Sequence, residues 1–268
     1  MLRQRVIISV LFLPILIWLI VRGGWLYVSV VALVLGLAAS EFGQLFRRAD
    51  LRPSTPLLIA GVVALVIARF WLDAGQTSAL LASIALLGMI WHVVDYERGA
   101  PRSGTDFAVT LAGIFYLGWI GAYLVSLRLL PEGQWWVLTA LPVVWIADSA
   151  AYFIGRRFGR RPLAPRLSPN KTWEGYLSGV LTGTLAGAAL ALLFASFGGK
   201  VDAIGGAIVG FLVATIAPFG DLGISMFKRE MNAKDTGTLL FAHGGALDRI
   251  DSWLWAGVLG FYAVVWLV

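Results

Sequence analysis

Long apolar runs, separated by short polar connections, set the pattern of this chain from one end to the other. Nine of them can be drawn, at about residues 6–22, 24–40, 56–72, 77–94, 106–129, 134–154, 175–197, 203–220 and 252–268. Each is near the ~20 residues that a bilayer-spanning helix needs. A helix satisfies its own backbone hydrogen bonds in hydrocarbon, whereas a transmembrane barrel would show short alternating strands, which are absent. The expected fold class is therefore all-α, a polytopic integral membrane protein of about nine transmembrane helices. Arg3 and Arg5 ahead of the first run resemble a signal peptide, but no A-x-A-like cleavage site follows, so an uncleaved first span is expected.

Composition agrees with the pattern. Of 268 residues, 59% are hydrophobic and 13% charged, against about 25% charged in a soluble domain. There is no cysteine, which excludes disulfides and any thiolate ligand or nucleophile. The +6 net charge is explained by basic loops at a membrane face, and nucleic acid is not an expected partner. With the N-terminus cytoplasmic, that side receives nearly all of the 21 Lys and Arg. Only Arg22, Arg128 and Lys200 fall opposite, with Arg69 inside a span. Tryptophans such as Trp25, Trp71, Trp135 and Trp253 sit near span ends as interfacial anchors, while Trp119 lies mid-span as packing. Pro14, Pro142 and Pro218 should kink or end their helices, the last just as the polar stretch at Asp221 begins.

The polar residues are not evenly spread. Residues 1–130 read as a scaffold of spans with few polar groups, and residues 131–268 as the catalytic membrane region. One polar constellation runs from Asp148 through Tyr152, Gly155 and Arg156 to Ser168, Lys171, Thr172 and Glu174. A carboxylate within a span, as at Asp148, faces a polar cavity or a partner, Arg156 or Arg157 being the nearest. Ser168 and Thr172 can cap the next helix, and Lys171 beside its N-terminus suits phosphate. That helix carries Gly175, Gly179, Gly183 and Gly187, a smooth ridge for close helix approach or, alternatively, a substrate groove.

The second constellation holds Asp221, Lys228, Arg229, Lys234, Asp235, His243, Gly244, Gly245, Asp248, Arg249 and Asp251. Carboxylates without cysteine favour Mg²⁺ or another hard cation over zinc. Aspartates holding such a metal, ringed by Lys and Arg, suit nucleotidyl or phosphoryl transfer.

The run Ser225-Met-Phe-Lys228-Arg229 … Lys234-Asp235-Thr-Gly237 … His243-Gly244-Gly245-Ala-Leu-Asp248-Arg249-Ile-Asp251-Ser252 resembles the signature of the phosphatidate cytidylyltransferases, or CDP-diacylglycerol synthases. The segments around Asp148 and Lys171 are similar to that family too, and the likeness covers most of residues 140–255. Phe241-Ala242 replace the family's usual Pro-Gly, which changes a turn but no charge. The resemblance implies the reaction CTP + phosphatidate → CDP-diacylglycerol + diphosphate, with Mg²⁺ at one or two sites. It implies Asp221 and Asp248 as metal ligands, with Asp251 and Asp148 next. Lys171, Lys228, Arg229, Lys234 and Arg249 would hold phosphates, Asp235 would orient Lys234 or bind metal, and His243 would position a phosphate or shape a turn. Ser168, Thr172, Gly244 and Gly245 would line the nucleotide site. The expected setting is a bacterial cytoplasmic (inner) membrane, with the site cytoplasmic, membrane lipid around it and a homodimer as the assembly. Two rivals fit less well. A CDP-alcohol phosphotransferase would carry an Asp-Gly-x-x-Ala-Arg signature, and a transporter would show midplane charges or repeated halves.

Overall fold

The computed structural model describes residues 13–237 and 245–267. His243 and Gly244 lie outside the described residues. Within the described residues the expected apolar runs fold as helices, though their bounds move, and residues 6–12 of the first expected span lie outside the described residues. In chain order these are α1 (Leu13–Arg22), α2 (Gly24–Arg47), α3 (Thr55–Trp71), α4 (Ala74–Glu97) and α5 (Ser103–Gly113). A π-helical turn (Ile114–Ile120) leads into α6 (Tyr123–Leu129), followed by α7 (Gly133–Phe158). A hairpin of β1 (Pro162–Ala164) and β2 (Ser168–Thr172) precedes α8 (Trp173–Ser196), α9 (Ala203–Ile216), α10 (Pro218–Glu230) and α11 (Leu247–Leu267). Among the described residues six segments, against the nine spans expected, are long and apolar enough to cross a membrane: α2, α4, α5 through α6, α7, α8, and α9 through α10. The chain is a multi-pass, all-α membrane protein.

Four expectations need correcting. The second span does not end near residue 40, because α2 runs on to Arg47 and carries Glu41 and Phe42 in its buried face. The run expected as one helix over 106–129 is interrupted by the π turn. Pro142 sits inside α7 without ending it, whereas Pro218 does mark the break between α9 and α10. Ser168 is a strand residue and not a cap: Thr172 alone caps α8, its Oγ1 accepting from Gly175 N–H at 3.2 Å.

The glycine ridge is spent within the chain. A Cβ on Gly179 would lie 2.9 Å from the Ala147 carbonyl of α7, and one on Gly183 would lie 2.5 Å from Ala214 Cβ of α9. A Cβ on Gly187 would strike the Gly206 carbonyl. Helix α8 thus lies against both neighbours at a distance that side chains would forbid. Leu177, Leu181, Leu185 and Leu192 are exposed on the same helix, the face left for lipid. The substrate-groove alternative fails for most of the ridge, and only Gly179 also borders the cavity described below.

Charge inside the spans is accommodated singly. Arg69 lays its guanidinium over Trp119 (4.7 Å) and Tyr123 (4.9 Å), a cation–π arrangement favoured away from water. Trp119 is thus a packing residue. Trp25 and Trp71 meet at 5.1 Å, bringing the start of α2 beside the end of α3. At the other end of these helices, Arg48 reaches the Asp235 carbonyl at 3.4 Å. The same end gathers the close of α7, the hairpin, α10 and the start of α11.

Candidate active site

The hairpin is tied at its open end, where the chain enters β1 and leaves β2. Glu174 Oε2, two residues beyond the Thr172 cap, accepts from the backbone N–H groups of Arg160 (3.0 Å) and Arg161 (3.3 Å). Antiparallel pairing sets Pro162 opposite Thr172 and Ala164 opposite Ser168. Gly155 and Gly175 let α7 and α8 close around Thr172, since a Cβ on Gly155 would lie 2.9 Å from Thr172 Oγ1. Lys171, on the second strand, is thereby presented to α10.

There Lys171 Nζ donates to Asp221 Oδ2 at 2.6 Å. Asp221 stands in the first turn of α10, set by the Pro218 break. A Cβ on its neighbour Gly220 would lie 2.5 Å from the Asp251 carbonyl, so α10 approaches α11 backbone to backbone at this point. Asp251 is buried there, its Oδ1 accepting from Ser252 N–H at 2.5 Å. Burial, then Asp221 and more weakly Asp148, push the Asp251 carboxyl up to about 7.

Asp248 is held more fully. Its Oδ1 accepts from Lys228 Nζ at 2.7 Å. Its Oδ2 accepts from Thr236 N–H (3.0 Å), Thr236 Oγ1 (2.9 Å) and Gly245 N–H (3.4 Å). Burial raises its pKa, but the Lys228 ammonium and the Thr236 donors outweigh that and hold it below the ordinary aspartate value.

Asp148, Asp221, Asp248 and Asp251 all line one cavity of about 840 Å³, with Ser168, Lys171 and Thr172 on its other wall. The two sequence constellations, some 50 residues apart, therefore meet. Asp148 is not paired with an arginine as its nearest neighbours suggested: Arg156 donates instead to the Tyr152 hydroxyl at 3.0 Å. Arg229, Lys234 and Asp235 are exposed beyond the cavity lining, and Arg249 follows Asp248 on α11. Gly245 acts through its N–H, on Asp248.

Sequence reasoning missed two residues. Glu41, buried at 1% exposure on α2, accepts from Leu247 N–H at 2.9 Å and lies 3.3 Å from Thr236 Oγ1. Thr236 joins it to Asp248. The signal was available: Glu41 is a carboxylate in a long apolar helix, as Asp148 is, but a span ending at residue 40 leaves it in a loop.

The donor set has the chemistry of a hard-cation site, being oxygen-only and rich in carboxylates. Among the described residues, however, no three acidic or histidine side chains are gathered closely enough to hold a metal ion. Asp221 and Asp248 each hold a lysine instead.

A bundle of membrane helices thus encloses a cavity lined by four aspartates and Lys171. Residues 3–268 match the Cytidylyltransferase family, and the chain belongs to that family. It is similar to the phosphatidate cytidylyltransferase of Synechocystis sp., 32% identical over 99% of this chain and 97% of that protein. The phosphatidate cytidylyltransferase of Pseudomonas aeruginosa is 33% identical over 99% and 97% of the two chains. That of Haemophilus influenzae is 44% identical, over 45% of this chain and 42% of the relative.

Proposed function

We propose that this protein is a phosphatidate cytidylyltransferase, converting CTP and phosphatidate to CDP-diacylglycerol and diphosphate. The observation that carries this reading is the pair of lysine–aspartate contacts, Lys171–Asp221 and Lys228–Asp248, at one cavity in a chain matched along its length by that family. In the reaction an oxygen of the lipid phosphate bonds to the α-phosphorus of CTP. The bond from that phosphorus to the bridging oxygen breaks, and diphosphate leaves. No covalent enzyme intermediate is needed, so catalysis is positioning and charge stabilisation.

Lys171 supplies an ammonium group at the cavity and Lys228 one on its lining residue Asp248, and Arg229, Lys234 and Arg249 add cationic charge around it for the polyanionic substrate. A divalent cation, Mg²⁺ by its preference for carboxylate and phosphate oxygen, would neutralise phosphate charge when bound. Asp221 and Asp248 would hold it, with Asp251 and Asp148 beside them. Lys171 and Lys228 stand against these two carboxylates, where their ammonium groups can pair with phosphate oxygens. The basic residues gathered at the site's end of the bundle support a cytoplasmic site by the positive-inside rule, on the side where CTP is soluble, and the proposed setting is the bacterial inner membrane. A homodimer would have to form on lipid-facing surfaces, because the glycine ridge is filled within one chain.

The test is direct. Purified full-length protein with CTP, phosphatidate and Mg²⁺ should form CDP-diacylglycerol, and omission of any one should abolish it. A protein that binds both substrates yet makes no lipid product contradicts the reading.

A further inference from the structure

Glu41 is out of place for a packing residue. It is buried on a largely apolar helix of the first half, and its Oε1 has no hydrogen-bond partner. Burying a carboxylate is costly, and an apolar side chain would pack there more cheaply. Its surroundings show what the carboxylate does instead. Oε2 accepts from Leu247 N–H at 2.9 Å, at the first turn of α11, where a negative charge also complements the helix dipole. Thr236 Oγ1 stands 3.3 Å from Glu41 Oε2 and 2.9 Å from Asp248 Oδ2. A hydroxyl has one proton, so it links the two carboxylates without bonding both at once. Glycines are needed around this group: a Cβ on Gly237 would lie 2.5 Å from Glu41 Oε1, and one on Gly245 would strike Oε2.

We propose that Glu41 is a positioning residue for Asp248, fixing Thr236 and Leu247 so that Asp248 Oδ2 stays held by Thr236 and Gly245 while Oδ1 is presented with Lys228. The N-terminal scaffold thus acts on Asp248 through a buried carboxylate. The catalytic part of this inference rests on the function proposed above, whereas the clamp itself does not.

The test uses full-length protein in detergent. Glu41→Ala should lower kcat per folded molecule about 10- to 100-fold, the usual effect of losing a group that orients a ligand. It should also raise the Mg²⁺ concentration for half-maximal activity while leaving KM for CTP nearly unchanged. Glu41→Gln keeps an oxygen for Leu247 N–H and should stay within about threefold of the parent, since the hydrogen bond survives. Thr236→Val should behave like Glu41→Ala and serves if that variant does not fold. Amide hydrogen exchange gives an activity-independent reading: the Thr236 and Leu247 amides should exchange faster in Glu41→Ala and not in Glu41→Gln. Parental kcat and Mg²⁺ dependence in Glu41→Ala, whatever its stability, would overturn the proposal, as would unchanged exchange. If the parent makes no CDP-diacylglycerol, the proposed function fails while the exchange result still decides the clamp.

Discussion

Lys171 and Asp221 meet at 2.6 Å across 50 residues of sequence, one on a two-stranded hairpin and the other on the first turn of α10. The pair is about one-third exposed, at 30% and 36%. A salt bridge so open to water is worth about 1 kcal/mol or less to folding. It holds two chemical groups in place more than it holds the fold together.

Lys171→Met and Asp221→Asn should therefore leave the melting temperature within a few degrees of the parent. Both should cut CDP-diacylglycerol formation about 100-fold or more, the scale of losing one group that stabilises transition-state charge. The double variant should be no worse than the more damaged single one, because partners acting as a unit are not additive. Initial rates on folded protein decide it.

Lys228 and Asp248 behave differently because they are half-buried, at 16% and 14% exposure. Removing one partner leaves the other charge poorly compensated, a loss that approaches the ~3–5 kcal/mol of a fully buried pair without reaching it. Lys228→Met should therefore lower thermal stability far more than Lys171→Met does. Lys228→Met combined with Asp248→Asn should recover part of the loss. Thermal melts of the three variants in one detergent measure this. Asp248→Asn alone mixes a folding defect with a chemical one, which makes Asp221→Asn the cleaner probe of the site.

The α8 ridge gives a prediction about assembly. Gly183→Ala puts a Cβ 2.5 Å from Ala214 Cβ, an overpacking that costs about 1–3 kcal/mol. Gly183→Leu should prevent folding, while Leu181→Ala on the lipid-facing side of the same helix should be tolerated. Yield of monodisperse protein after detergent extraction distinguishes them.

Most of the architecture could be read from hydropathy, because length and apolarity alone select membrane helices. Helix ends were less legible. Residues 41–47 continue α2 despite Glu41, Gln44 and Arg47, since Glu41, Phe42 and Phe46 pack against Thr236, Leu247 and Phe227 of the second half and Gly43 against Thr55 of α3. Hydropathy has no access to that partner. The π turn at Ile114–Ile120 and the Pro162–Thr172 hairpin likewise depend on tertiary contacts. The charged site residues stood out because ionisable groups are rare in such a chain. Their pairing did not: nothing local to Lys171 says that it meets Asp221 and not Asp148. Thr236 was invisible for a different reason, since a lone threonine in a polar stretch gives no sign that it bridges two carboxylates.

The central claim, that this cavity transfers a cytidylyl group to a lipid phosphate, is tested most directly by following two labels. The parent protein in phosphatidate-containing vesicles is given Mg²⁺ and CTP labelled with ³²P at either the α or the γ position. The α label should pass into the chloroform-soluble lipid fraction and the γ label should remain in water as diphosphate, with both transfers lost in Asp221→Asn. Transfer of the γ label to lipid, or no lipid label from either nucleotide, would contradict it.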